Sequence, residues 1–323
     1  MSNCVVELPL EKNPPIQSYQ DHAFWLSILL GNDPQILPWL TMQYTNLIWK
    51  KSNQVLSPYI YSQWRFGTEE ILPMENFFNV SPTIFSRPSF DIVVIVKDML
   101  DQGLYQLGSF DEYYVPGKSR YQKEHFIHNN LIYGYNDGEG CFLSIGYTES
   151  RKYEPFRLSY SDYVSSMAKA SKKLLGLLFT RYAPNPVCRF EPAGYRRILH
   201  DYITSRNMDQ NENQFGIGCL DLLMQEVGAM KSAGDQDLDI RRYRCLLEHA
   251  QMTFRGLELL DQAGIQADLN RYAGLVQQSG ILMSLCLKYT ISRQPEILDR
   301  IVRGLRLLME EERACLEPVA LSG

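Results

Sequence analysis

The stretch Asp111 to Asp137, DEYYVPGKSRYQKEHFIHNNLIYGYND, constrains this chain more than any other. Three tyrosines (Tyr113, Tyr114, Tyr121) and a Pro-Gly turn lead into His125 and His128. The apolar run Leu131-Ile132-Tyr133 follows, and then Asn136-Asp137-Gly138. Asn, Asp and Gly tolerate the positive φ of tight hairpin turns, so this block predicts a strand, a turn and a returning strand. It is where reactive residue types crowd beside strand-forming sequence.

The flanks extend the same pattern. Leu104 to Leu107, Glu112 to Val115, Leu131 to Tyr135 and Cys141 to Tyr147 read as antiparallel strands of one sheet. Ser18 precedes Tyr19-Gln20-Asp21, a cap-like Ser-x-x-Asp ahead of the mostly apolar helix DHAFWLSILL. Gly31-Asn32-Asp33-Pro34 ends that helix, and a second one is expected near Pro38 to Lys50. Residues 55–88 read as loops and short strands; the β-branched residues of Asp91 to Asp101 favour a strand, but Gly103 stands where a helix would stop, and the helix is preferred.

Beyond about residue 160 the character changes. Tyr160 to Tyr182 reads as a helix, broken by Pro184 and Pro186, and Ser205 to Gln214 as a polar linker. Leu246, Leu247, Ala250, Phe254 and Leu257 then fall on one helical face, and Ile297, Leu298, Ile301, Leu305 and Leu308 repeat those offsets. The expectation is an α+β N-terminal domain over residues 1–165, with an antiparallel sheet, followed by an all-helical C-terminal domain over residues 166–323.

Charge and cysteine usage exclude several classes. The 32 basic and 37 acidic side chains leave a net charge of −5, with no basic stripe interleaved with aromatics, which argues against nucleic acid. No apolar run approaches the roughly 18 residues of a membrane span. The N-terminus shows no basic start followed by an apolar stretch, so the chain reads as cytoplasmic. Seven cysteines stand singly, without a CxxC pair, as reduced thiols do. His125 and His128 have ligand-like spacing, but no second pair completes a metal site, and no cofactor motif is evident.

Asp111-Glu112-Tyr113-Tyr114-Val115-Pro116, His125-Phe126-Ile127-His128 and Leu131-Ile132-Tyr133-Gly134-Tyr135-Asn136 together resemble the N-terminal domain of the butirosin biosynthesis protein H family. Phe215-Gly216-Ile217-Gly218 and Asp239-Ile240-Arg241-Arg242 resemble the helical domain that follows in that family. The resemblance implies a papain-like fold, close to the C39-like peptidases, and acyl- or aminoacyl-transfer from a carrier protein in peptide or aminoglycoside biosynthesis. It implies His128 as general base. A cysteine nucleophile is implied at the start of the first buried helix, where this chain has Ser18-Tyr19-Gln20-Asp21-His22. An acid is implied after the histidine, where Ser144-Ile145-Gly146 stands instead.

Two of three catalytic positions are therefore unfilled. Ser18 could serve as a substitute nucleophile beside His128, or only cap the helix. Asp21 and His22 would line the pocket, with Tyr114 and Tyr135 among the tyrosines of a cleft for an acyl or peptide chain. Cys4 lies outside any helix start and reads as inert. Two functions stay open: an acyltransferase, and a non-catalytic descendant that binds a carrier protein, peptide or biosynthetic enzyme.

Overall fold

The computed structural model describes residues 4–60, 73–80, 91–170, 177–186, 188–233 and 237–321. It is a mixed helix and strand structure with antiparallel sheets. In place of one boundary near residue 165, the chain passes repeatedly between two units. Unit 1 comprises Met1–Pro15, Gln20–Pro34 and Leu72–Pro186, and unit 2 comprises Ile16–Tyr19, Gln35–Ile71 and Val187–Gly323.

Unit 1 is built on a sheet that has seven strands among the described residues. Its strands are β1 (Val5–Glu7), β4 (Met74–Val80), β5 (Tyr105–Asp111), β6 (Ile127–Asn136), β7 (Cys141–Tyr147), β8 (Tyr153–Ser159) and β9 (Leu177–Tyr182). The order is β4-β9-β5-β6-β7-β8, and β1 pairs with β6 beyond the end of β5. Helix α1 (Gln20–Asn32) lays Ala23, Phe24 and Ile28 against Tyr105, Leu131, Tyr133 and Ile145. Burying each large side chain of this run contributes roughly 1.5–3 kcal/mol. Gly31, in the last turn of the helix, lies against the backbone of Leu10, where a Cβ would come within 2.5 Å of Leu10 Cα.

A second core cluster joins α3 (Ile92–Asp101) and α4 (Tyr160–Ala170) to Phe110, Ile132, Tyr135, Phe142, Leu158 and Phe179. Helix α3 forms as the sequence predicts, because Asp91 caps it by accepting from the amides of Val93 and Val94. A bulge between Ile132 and Gly134 shifts the register of β6. Tyr133 accordingly packs with α1, and Tyr135 with α3 and α4.

Unit 2 is not all helical. It holds α2 (Leu37–Gln43), the small sheet β10-β2-β3 (Gln214–Phe215, Asn46–Lys50, Val55–Tyr59), and helices α5 (Pro192–Ile203), α6 (Cys219–Ala233), α7 (Ile240–Gln262), α8 (Leu269–Ser292) and α9 (Pro295–Leu321). Both predicted apolar stripes contribute to its core, although Leu247 and Phe254 are only half-buried. Asp239 and Asp268 cap α7 and α8, accepting from the amides of Arg241 and Arg271.

Three local expectations fail for physical reasons. The helix expected from Pro38 to Lys50 stops at Gln43, and Asn46–Lys50 pairs with β3 instead. Of the helix expected from Tyr160 to Tyr182, Tyr160–Ala170 is helical, residues 171–176 lie outside the described residues, and Leu177–Tyr182 enters the sheet between β4 and β5. A short apolar run suits a buried strand as well as a helix, and pairing partners decide. Glu112–Tyr114, expected as a strand, is a 3-10 turn. Of the loops expected over 55–88, residues 61–72 and 81–88 lie outside the described residues. No helix among the described residues is long and apolar enough to cross a membrane.

Candidate functional site

Strands β5 and β6 pair so that Asp111 faces Ile127 and Phe110 faces His128. The long connection between them returns the chain to its own start. Two consecutive carboxylates thus meet two histidines. Asp111 Oδ2 lies 2.7 Å from His125 Nδ1, and Glu112 Oε1 lies 3.0 Å from His128 Nδ1. The carboxylates are almost wholly buried, at 2% and 7% side-chain exposure, while the imidazoles are 60% and 40% exposed. A buried carboxylate behind each ring fixes its orientation and places the Nδ1 proton.

The other nitrogen of His128 is occupied. Gln20, at the first position of α1, brings Nε2 to 3.3 Å from His128 Nε2. The same amide nitrogen donates to the carbonyl of Asn129. Gln20 Oε1 accepts from the amide of Tyr147 at 3.3 Å. With Nδ1–H donated to Glu112, His128 Nε2 accepts from the carboxamide, and every polar atom of Gln20 has a partner. A carboxamide has no nucleophilic lone pair to give to a carbonyl carbon, so Gln20 cannot complete a nucleophile–base pair.

Behind Glu112 stands Lys118, 1% exposed at its side chain, with Nζ 3.9 Å from Glu112 Oε1. The ammonium donates to Tyr147 O at 2.7 Å and sits 4.6 Å from the centre of the Phe156 ring. Burial pushes this amine down to about 8, against the pull of Glu112. Gly146 leaves room for Lys118. A Cβ on Gly146 would lie 3.1 Å from both Lys118 Nζ and Asn130 Oδ1. Asn130 Oδ1 is buried and has no hydrogen-bond partner among the described residues.

The remaining predicted residues fall into separate places. Asp21 is exposed in the first turn of α1 and accepts from Asn129 Nδ2 at 3.1 Å, next to the His128 cluster. His22 is half-buried on the same helix. Tyr114 is half-buried in the 3-10 turn, edge-on to Tyr113 and 6.0 Å from the His125 ring. Tyr135 is 3% exposed and donates to Asp101 Oδ1 at 2.8 Å. Burial, helped by Cys4 and Asp101, pushes its phenol well above the ordinary value, and it is a core residue of unit 1. Ser18 precedes α1 by two residues and belongs to unit 2, where its amide donates to Glu248 Oε2 at 3.0 Å.

Thiol chemistry has little support among the cysteines. Burial pushes Cys188 and Cys315 up to about 11 and Cys286 to about 12, and raises Cys141, Cys219 and Cys245 as well. Such thiols stay protonated near neutral pH and are poor nucleophiles. Cys4 is exposed, with Sγ 3.5 Å from the Tyr135 hydroxyl. A cavity of about 540 Å³ in unit 2 is lined by Asp268, Arg271, Cys315 and Pro318, and the Cys315 thiol there donates to the Asp268 carbonyl at 3.8 Å. No group of three or more His, Cys, Asp or Glu among the described residues has metal-binding geometry.

Asp111, Glu112, Gln20 and Lys118 were missed by sequence reasoning. The carboxylates were present in the same block as the histidines, but the acid was sought after His128 rather than before it. No protein-family model matches the chain, and no curated protein matches it.

Proposed function

We propose that unit 1 is a papain-like domain that has lost its nucleophile and works by binding. Its partner would be a carrier protein, a peptide or an enzyme of a natural-product pathway. The observation that carries this reading is the Gln20 carboxamide, which fills the place beside His128 Nε2 from which a nucleophile would hand over its proton. The resemblance to the butirosin biosynthesis protein H family supplies the partner class. The exposed imidazoles and the half-buried Tyr113 and Tyr114 give the domain a polar and aromatic face suited to recognition.

The test pairs turnover with affinity. Wild-type protein is offered carrier-loaded acyl donors together with amine acceptors, and calorimetry measures its affinity for the same carrier proteins and for peptides. No acyl transfer and measurable binding are expected. Acyl transfer lost on His128→Ala by about 10²-fold or more would overturn the reading.

A second reading is favoured by one specific observation. The Glu112–His128 pair is intact at 3.0 Å, and the ring is 40% exposed. A base so held could deprotonate an amine acceptor directly, with the acyl group passing from its carrier to that amine and no acyl-enzyme formed. On this reading Gln20 must swing aside, and Gln20→Ala raises turnover.

A further inference from the structure

His125 and His128 share a design but differ at the outward nitrogen. His128 Nε2 is engaged by Gln20, whereas His125 Nε2 has no hydrogen-bond partner among the described residues. The His125 ring is nonetheless held. It stacks on Tyr113 with centroids 4.4 Å apart and planes 26° apart. Its carboxylate partner is fixed in turn, because Asp111 Oδ1 accepts from the amides of Tyr113 and Phe126, each at 3.2 Å. A carboxylate can only accept, so His125 Nδ1 carries the proton, and in the neutral ring Nε2 presents a lone pair. The result is an oriented acceptor on a ring 60% exposed, backed by a carboxylate only 2% exposed.

We propose that His125, backed by Asp111, is the imidazole of unit 1 that meets a bound molecule, accepting the O–H, N–H or S–H group of that molecule at Nε2. The proposal refines the binding reading by naming the imidazole and the ligand chemistry. It also moves the centre of the site from His128 to a residue three positions earlier. Where the donor is acidic enough, the same arrangement removes its proton: the donor bond breaks, its electron pair stays on the ligand, and Asp111 stabilises the imidazolium.

Lone-pair availability can be read without any partner, so failure here is distinct from failure to bind a carrier protein. The probe is diethyl pyrocarbonate on the full chain near neutral pH, with modified histidines located by mass spectrometry. Nε2 attacks a carbonyl carbon, a C–O bond breaks, and monoethyl carbonate leaves and takes the imidazole proton. His125 is expected to react several-fold faster than His128. Gln20→Ala is expected to speed His128, and Asp111→Asn to slow His125. Nitrogen-15 spectra of the wild-type imidazoles give a readout that exposure alone does not move, and His125 is expected as the Nδ1–H tautomer. An Nε2–H tautomer at His125, or His128 reacting as fast as His125 in the wild type, would overturn the proposal.

Discussion

The same pair of residue types is built twice, once in each unit, for different ends. In unit 1, Glu112 lies 3.0 Å from His128; in unit 2, Glu312 Oε1 lies 3.0 Å from His249 Nε2. The second pair is sealed, with 1% and 3% side-chain exposure. Tyr202 and Tyr272 also donate to Glu312, at 2.7 and 2.6 Å, so one carboxylate ties α5, α7, α8 and α9 together. His249 and these hydroxyls hold the Glu312 carboxyl below the ordinary range although burial pushes the other way. Distance and chemistry are alike. Access to water separates a joint from a face, and only the unit 1 pair can touch anything outside the chain.

The contrast predicts its own tests. The largest effect belongs to Glu312→Gln, which leaves buried donors poorly satisfied and should cost about 3–5 kcal/mol in denaturant unfolding. Because the folded carboxyl is held low, its stabilising charge is present above the ordinary carboxylate range and is lost as pH falls below it. The gap between wild type and Glu312→Gln should therefore narrow in acid. A pH-independent gap would mean that the carboxylate is not ionised in the fold.

Lys118 gives the next effect. Its amine titrates near 8 in the fold and near 10.5 in the unfolded chain. Between those values the unfolded state binds more protons, so stability rises with pH. Wild type should gain roughly 3 kcal/mol on Lys118→Met across that window, at 1.36 kcal/mol per pKa unit. A flat difference would show that the amine stays solvated. Gly146→Ala, which pushes a methyl toward Lys118 Nζ and Asn130 Oδ1, should cost about 1–3 kcal/mol. The smallest effect is expected from His128→Ala, within about 1 kcal/mol, because its ring is 40% exposed. A loss there as large as that of His249→Ala would erase the distinction between joint and face.

How far these features could be read in advance depended on where their partners lie along the chain. The stripes Leu246 to Leu257 and Ile297 to Leu308 announced their helices because periodicity is local. His128 stood out because it sits in a block of strand and turn residues. Glu112 did not, since its pairing with His128 depends on the register of β5 against β6 across a long connection. Gln20 looked like an ordinary helix residue, and its role depends on the tertiary approach of α1 to the Asn129 carbonyl and the Tyr147 amide. Strand β9 was hidden by a similar dependence, because its apolar run pairs with β4 and β5 from much earlier in the chain.

The interleaving of the two units bears on synthesis. A chain emerging from the ribosome presents β2 and β3 long before α5, α6 and α7, whose side chains share their core. The sheet of unit 1 likewise waits for β9, which sits between β4 and β5. Neither unit can finish during translation of its first segment, and both must hold apolar surface uncovered until late residues arrive. Unit 1 has all of its segments once Pro186 has emerged, whereas unit 2 must wait for the helices of Val187–Gly323. Expression of residues 1–165 alone would strand a sheet without β9, leaving β5 with an open edge prone to association.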